Sequence, residues 1–360
     1  MKSFKAFLAR KNVVYSFQRY GIDALCAMAQ GLFCTLLVGT ILNTLGQQLH
    51  IALLTQPIAA GYTIGGLASA MVGPGIAAAI GSALHCPPLV LFSLIPVGFA
   101  ANAIAGAGGP LAVYLVTIIS AELGKLVSKE TKIDILITPC VTILAGSLLA
   151  SLIAAPIGRA ASAVGLAIMW ATELQPFFMG MVVSVIIGLA LTLPISSAAI
   201  CAAFGLCGLA GGAAVAGCCA QMVGFAVMSF RENRWGGLVA QGIGTSMLQM
   251  PNIVRNPRIW IPPTLAAAVT GPIATCVFQL QMNGAPVSSG MGTCGFVGQI
   301  GVYTGWVADI AAGTKAAITA MDWIGLVLVC FVLPAILSWV FCQILRRIGW
   351  IKDGDLKLNL

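Results

Sequence analysis

Charge is what this chain has least of. Its 360 residues include 18 Lys or Arg, 10 Asp or Glu and 2 His, whereas about a quarter of an ordinary soluble domain is charged. No Lys, Arg, Asp or Glu occurs in the 98 positions between Asp23 and Glu122, or in the 57 between Glu173 and Arg231. A water-soluble surface needs charge throughout, so these gaps exclude a soluble domain and turn the surface toward lipid. Several chemical signatures are missing as well. There is no GxxxxGK[ST] loop for nucleotide-driven transport, no HExxH, no CxxC or Cys/His ligand spacing, and no Ser/His/Asp arrangement. The sequence therefore predicts neither an enzyme nor a metal or other cofactor.

What is abundant is apolar. Hydrophobic residues make up 59% of the chain and the mean hydropathy is +1.00, against about 45–50% apolar in globular domains. The runs are long and continuous, as hydrocarbon-spanning helices of about 20 residues require, whereas barrel strands alternate over short segments. The predicted fold is all-α: a polytopic integral membrane protein in contact with lipid. Nine of the twelve Cys (26, 34, 201, 207, 218, 219, 276, 330 and 342) lie inside apolar runs, where thiols act as small hydrophobes. The net charge of +8 sits in loops and tails, so it reflects topology and implies no nucleic-acid partner.

Lys and Arg accumulate in cytoplasmic loops. Placing the N-terminal tail, Lys125 to Lys132, Arg231 to Arg258 and the tail from Arg346 inside accounts for 16 of the 18 basic residues. Four crossings then fit between 24 and 124, one at 135–157, three within 174–230, one at 259–281 and one at 323–345. This gives about ten transmembrane helices with both termini cytoplasmic, and Arg159 and Glu173 outside. Residues 1–22, where Phe4, Phe7, Leu8, Val14 and Phe17 alternate with basic residues, read as an amphipathic helix on the inner membrane surface. Residues 236–253 and 284–306 are apolar but rich in Gly, Ser, Gln and Pro. Broken backbone at membrane depth is tolerated only when buried in protein or lining a wet cavity, so both read as re-entrant hairpins.

Chemistry-bearing residues gather around these breaks. Glu173 and Gln175 stand at a span entry just before Pro176, which leaves backbone groups free. The run Asn283 to Phe296 concentrates Gly, Ser and Thr, whose N–H and hydroxyl groups suit a polar ligand. Gln175, Gln249, Asn252, Ser288, Ser289, Thr293 and Gln299 are candidate solute ligands, and His85 is a further one. Short echoes link Gln56-Pro57 to Gln175-Pro176, and Pro194-Ile195-Ser196-Ser197 to Pro286-Val287-Ser288-Ser289, each of the latter with a Phe ten residues after its Pro (Phe204, Phe296). Such repeats with broken helices are a transporter feature.

The ten-span layout, the basic N-terminus, the TELQPFFMG entry, the paired re-entrant segments and PVSSGMGTCGFVGQIG together resemble the membrane IIC components of the bacterial phosphotransferase system, over nearly the whole chain. The nearest branch is the stand-alone one that includes the perfringolysin regulator. In the sugar-transporting glucose superfamily, a Glu in Gly-Ile-Thr-Glu-Pro and a His bind sugar; the nearest matches are Glu173, here in Ala-Thr-Glu-Leu-Gln-Pro, and His85. The resemblance implies an inner-membrane homodimer that moves a sugar or sugar derivative by an elevator motion. It divides the chain into a transmembrane scaffold at 23–170, a substrate-binding region at 171–310, a last helix at 311–345 and a cytoplasmic tail at 346–360. The tail contains neither His nor Cys, so phosphoryl transfer would fall to separate IIA and IIB proteins. Two other readings stand beside this one: a partner-free facilitator or secondary transporter of a small organic acid attracted by Arg231, Arg255 or Arg258, and a membrane sensor regulating gene expression.

Overall fold

The computed structural model describes residues 7–358. Helices dominate, and among the described residues there is no strand, only isolated bridges at Ala59–Tyr62 and Gly208–Met282. The chain divides into two compact units, the first ending at Ala160 and the second beginning at Ala161. All twelve cysteines are free thiols.

In the first unit α1 (Gln18–Gln48) is followed by α2 (Ile64–Ala70) and α3 (Val72–Ala83), which meet at a 56° bend. Next come α4 (Pro88–Ala105) and α5 (Gly109–Val127), which pack against each other because the chain reverses at Gly106, in the left-handed region at φ 54°. Helix α6 (Asp134–Thr172) runs unbroken for 39 residues. At about 1.5 Å per residue that is about 58 Å, nearly twice a hydrocarbon core of about 30 Å. The crossing expected at 135–157 is thus the first part of a longer helix that carries Arg159 within it and passes through the Ala160 boundary.

The basic N-terminal segment departs from the expected surface helix. Positions 1–6, including Phe4, lie outside the described residues. The rest makes one helical turn at 7–10, reverses at Asn12 (φ 55°) and continues irregularly to residue 16. It is fastened to the end of α5: Arg10 pairs with Glu130 at 2.7 Å, and Lys11 bonds Glu130 and the Ser128 carbonyl. The Lys11 hydrogen bond, with Arg10 nearby, holds the Glu130 carboxyl below the usual carboxylate range. Lys125, expected in a loop, is instead a buried helical residue. Its ammonium donates to the Asn12 carbonyl (3.0 Å), the Leu84 carbonyl (3.3 Å) and Glu122 (2.8 Å).

In the second unit α7 (Pro176–Thr192), α9 (Gly208–Met228), α12 (Pro257–Val277) and α14 (Ala320–Arg347) pack together. Only α9 is surrounded, and its Gly-, Ala- and Cys-rich sequence allows that close approach. Between the long helices lie shorter pieces: α8 (Ser197–Ala203), α10 (Phe230–Val239), α11 (Met250–Arg255) and α13 (Val297–Ala311). Among the described residues six helical stretches are long and apolar enough to cross a membrane when α4 and α5 are taken together as Pro88–Val127, or seven with the α2–α3 pair as one span; α7 is a shorter apolar helix. The largest difference from the ten expected crossings is at 174–230, where two long helices enclose the seven-residue α8 instead of a third full span. Pro194 cannot donate to a continuing helix, and Gly205 (φ 60°) and Gly208 (φ 65°) take left-handed conformations.

Candidate functional site: paired broken segments in the second unit

The two segments that echo each other in sequence lie side by side. Ser196 caps α8 by accepting the Ala199 amide, and Ser197 then donates to the Gly290 carbonyl at 2.7 Å. In return Ser289 donates to the Leu206 carbonyl at 2.6 Å. The second serine of each Pro-x-Ser-Ser run therefore satisfies a carbonyl that the other run's broken backbone leaves free. Gly290 is needed for this approach, since a Cβ there would meet the Ser197 backbone at 2.6 Å.

From this pair the chain goes on through Gly292 (φ 53°), packed against Cys218, and Thr293, which donates to the Met222 sulfur, before α13 begins. Gln299 in the first turn of α13 donates to Cys219, but its Oε1 is buried with no partner among the described residues. Ser288, Ser289, Thr293 and Gln299 are all buried. The segment returns to the end where it began: Asn283 Nδ2 donates to Asp309 Oδ2 at 2.8 Å, and Gly284 and Gly301 are in contact. At its turn, residues 294–296 meet 240–244 of the other broken segment.

A cavity of about 430 Å³ opens where the segment's two ends meet, within the roughly 300–1,000 Å³ usual for small-molecule sites. Gln279, Gln281, Asn283, Trp306, Asp309, Lys315 and Asp322 line it. Lys315 and Asp322 neutralise one another at 2.9 Å, and the Lys315 ammonium lies 5.9 Å from the Trp306 ring centroid. Asp309 has the Asn283 amide but no ion pair among the described residues. Amides, a carboxylate and an indole are groups that bind hydroxyls and the apolar faces of sugar-like rings. Of the cavity residues only Asn283 falls in the run marked from sequence, because Trp306 and Asp309 become its neighbours only when the segment doubles back.

The other sequence candidates have different surroundings. Gln249 donates to Gln241 and to the Leu356 carbonyl (3.0 Å), and Asn252 donates to Gln249 and the Lys357 carbonyl (2.9 Å). Both amides thus fasten the C-terminal segment, together with Asn233, which bonds Leu356 and Leu358. Glu173 and Gln175 are exposed at the entry to α7, with no side-chain hydrogen bond to residues 283–299 among the described residues. His85 belongs to the first unit, exposed and with a left-handed backbone at φ 54°. A further polar network, built on an amide that the sequence reading did not single out, joins Thr192 to Ser246 (2.8 Å) and Gln221 to Trp260 (3.0 Å) and Thr264 (3.2 Å). Its donors and acceptors serve one another, which marks it as a tie between α7, α9 and α12.

An apolar helical chain with broken, hydroxyl-lined segments beside a polar cavity defines a membrane transport protein. Residues 22–358 match the model of the phosphotransferase system EIIC family, and the chain belongs to that family. It matches no curated protein and no solved structure.

Proposed function

We propose that this EIIC-family membrane protein moves a neutral, hydroxyl-rich solute, a sugar or sugar derivative, through the second unit. The observation that carries the reading is the reciprocally bonded Ser197–Gly290 and Ser289–Leu206 pair, which holds broken, uncharged backbone beside a cavity edged by amides and Asp309. Ser288, Ser289, Thr293 and Gln299 are the proposed inner ligands, the open Gln299 Oε1 being an acceptor for a solute hydroxyl. Glu173, Gln175 and His85 are proposed contacts in other states of the transport cycle.

Orientation follows from charge. Within the second unit Arg231, Arg234, Arg255, Arg258 and the basic residues of 346–357 gather where Glu232 meets Arg346 and the C-terminal segment meets Asn233. Thr275 bonds the Pro176 carbonyl and Gly208 pairs with Met282 at the other end, near the cavity. By the positive-inside rule the basic end is cytoplasmic, so the C-terminus lies inside and the cavity faces out. The exposed arginines are remote from the cavity, which favours a neutral solute over an organic acid. A homodimer that uses the first unit as scaffold, elevator motion and separate IIA and IIB partners complete the proposal.

Uptake of a sugar panel and a dicarboxylate panel into proteoliposomes, with and without a pH gradient, tests it. Saturable sugar uptake indifferent to the gradient is expected. Dicarboxylate uptake, or saturable binding without flux under any gradient, would overturn it in favour of the organic-acid carrier or the sensor. Asp309→Asn is expected to raise the apparent Km for the transported sugar about tenfold, since a hydrogen bond to a charged group is worth about 1.5–3 kcal/mol. The thermal midpoint should not move, because Asp309 is only half-buried.

A further inference from the structure

The first unit contains a second cavity, of whose lining the transport reading uses only His85. It encloses about 320 Å³ between the N-terminal segment, the turn after α3 and the end of α5, and Arg10, Lys11, Asn12, His85, Lys125, Ser128, Lys129 and Glu130 line it. Four cations line it against the single lining carboxylate of Glu130, with Glu122 behind Lys125 and Asp134 accepting the Lys129 backbone N–H. Glu130 is already engaged by Arg10 and Lys11. Lys129 forms no ion pair among the described residues and is exposed, as is Arg10, while the Lys11 and Lys125 side chains are largely covered and held by backbone carbonyls. The cavity is thus a positively charged recess with two held cations at its base and two exposed ones at its rim, Arg10 paired with Glu130 and Lys129 without an ion pair among the described residues.

The chain on either side of its rim carries exposed apolar side chains. Val14, Tyr15 and Phe17 follow Asn12 along one edge, and Ile133, Ile135 and Leu136 follow Lys129 and Glu130 along the other, all of them exposed. A soluble anion has no use for such apolar edges. A phospholipid does, because its phosphate enters the basic recess while its acyl chains lie along the exposed aliphatic and aromatic side chains. We propose that this cavity is a binding site for the headgroup of an anionic phospholipid, which secures the N-terminal segment to α5 at the membrane surface.

Native mass spectrometry of the full chain in detergent, with phosphatidylglycerol and phosphatidylcholine as probes, reads this directly. Retention of phosphatidylglycerol at least tenfold over phosphatidylcholine is expected. Arg10→Gln and Lys129→Gln should each lower phosphatidylglycerol affinity about fivefold, the usual contribution of one basic residue near an anionic surface. The thermal midpoint without lipid should be unchanged, as both side chains are exposed. Equal retention of the two lipids, or a preference that survives the double substitution, would overturn the proposal. Full displacement of phosphatidylglycerol by millimolar inorganic phosphate would also overturn it, by assigning the recess to a soluble anion.

Discussion

Replacing Lys125 by methionine is expected to destabilise the first unit by roughly 3–5 kcal/mol, the range found when one partner of a buried ion pair is removed. The Lys125 side chain is 1% exposed and that of Glu122 is 11% exposed. Methionine fills much of the volume but supplies no donor. Glu122 would then be buried without its cation, and the Asn12 and Leu84 carbonyls would lose a partner. The unfolding midpoint in detergent should fall by roughly 10 °C. The double variant Glu122→Gln/Lys125→Met should recover part of the loss, because the uncompensated charge goes with the lysine. A single variant as stable as the wild type would show that this lysine contributes nothing beyond topology.

The second large effect concerns the other end of the chain. Arg346 bonds Glu232 at 2.6 Å with both side chains no more than 10% exposed, and it also reaches the exposed Asp353 at 2.6 Å. Glu232→Gln is expected to cost about 3 kcal/mol, at the low end of the range for a broken buried pair because Asp353 remains as a partner. It should also loosen the segment that Asn233, Gln249 and Asn252 bind through its carbonyls. Labelling of a single cysteine at position 356, where the native Leu356 is fully buried, should speed up strongly in Glu232→Gln. Labelling as slow as in the Glu232 parent would show that the amides alone retain the tail.

The broken segments show how far the residues themselves carry the reading. Pro194, Pro286 and the glycines after them cannot sustain a helix, and the serines beside them suit unpaired backbone; both facts are local and therefore visible in sequence. The echo between Pro194-Ile195-Ser196-Ser197 and Pro286-Val287-Ser288-Ser289 was visible too, but not its meaning, since the Ser197 and Ser289 bonds close across 93 and 83 positions. Gln249 and Asn252 look like solute ligands as long as they are only polar residues in an apolar run. Their partners are carbonyls about a hundred positions away, at Leu356 and Lys357.

By itself the sequence determined that this is an all-α, lipid-embedded EIIC-like chain whose regular helices give way in the Gly-, Ser- and Pro-rich stretches 236–253 and 284–306. Hydropathy, charge spacing and the conformational limits of Pro and Gly act over short distances and need no partner. Only the tertiary structure decided that Lys125 is buried as an ion pair, that 174–230 encloses a short helix in place of a third span, and that Asn283, Trp306 and Asp309 edge one cavity. It also decided which amides are spent on the chain's own C-terminal carbonyls and which, like Gln299, keep an acceptor open. Each of these depends on which distant group satisfies a buried donor, acceptor or charge, and that is settled only when the helices pack.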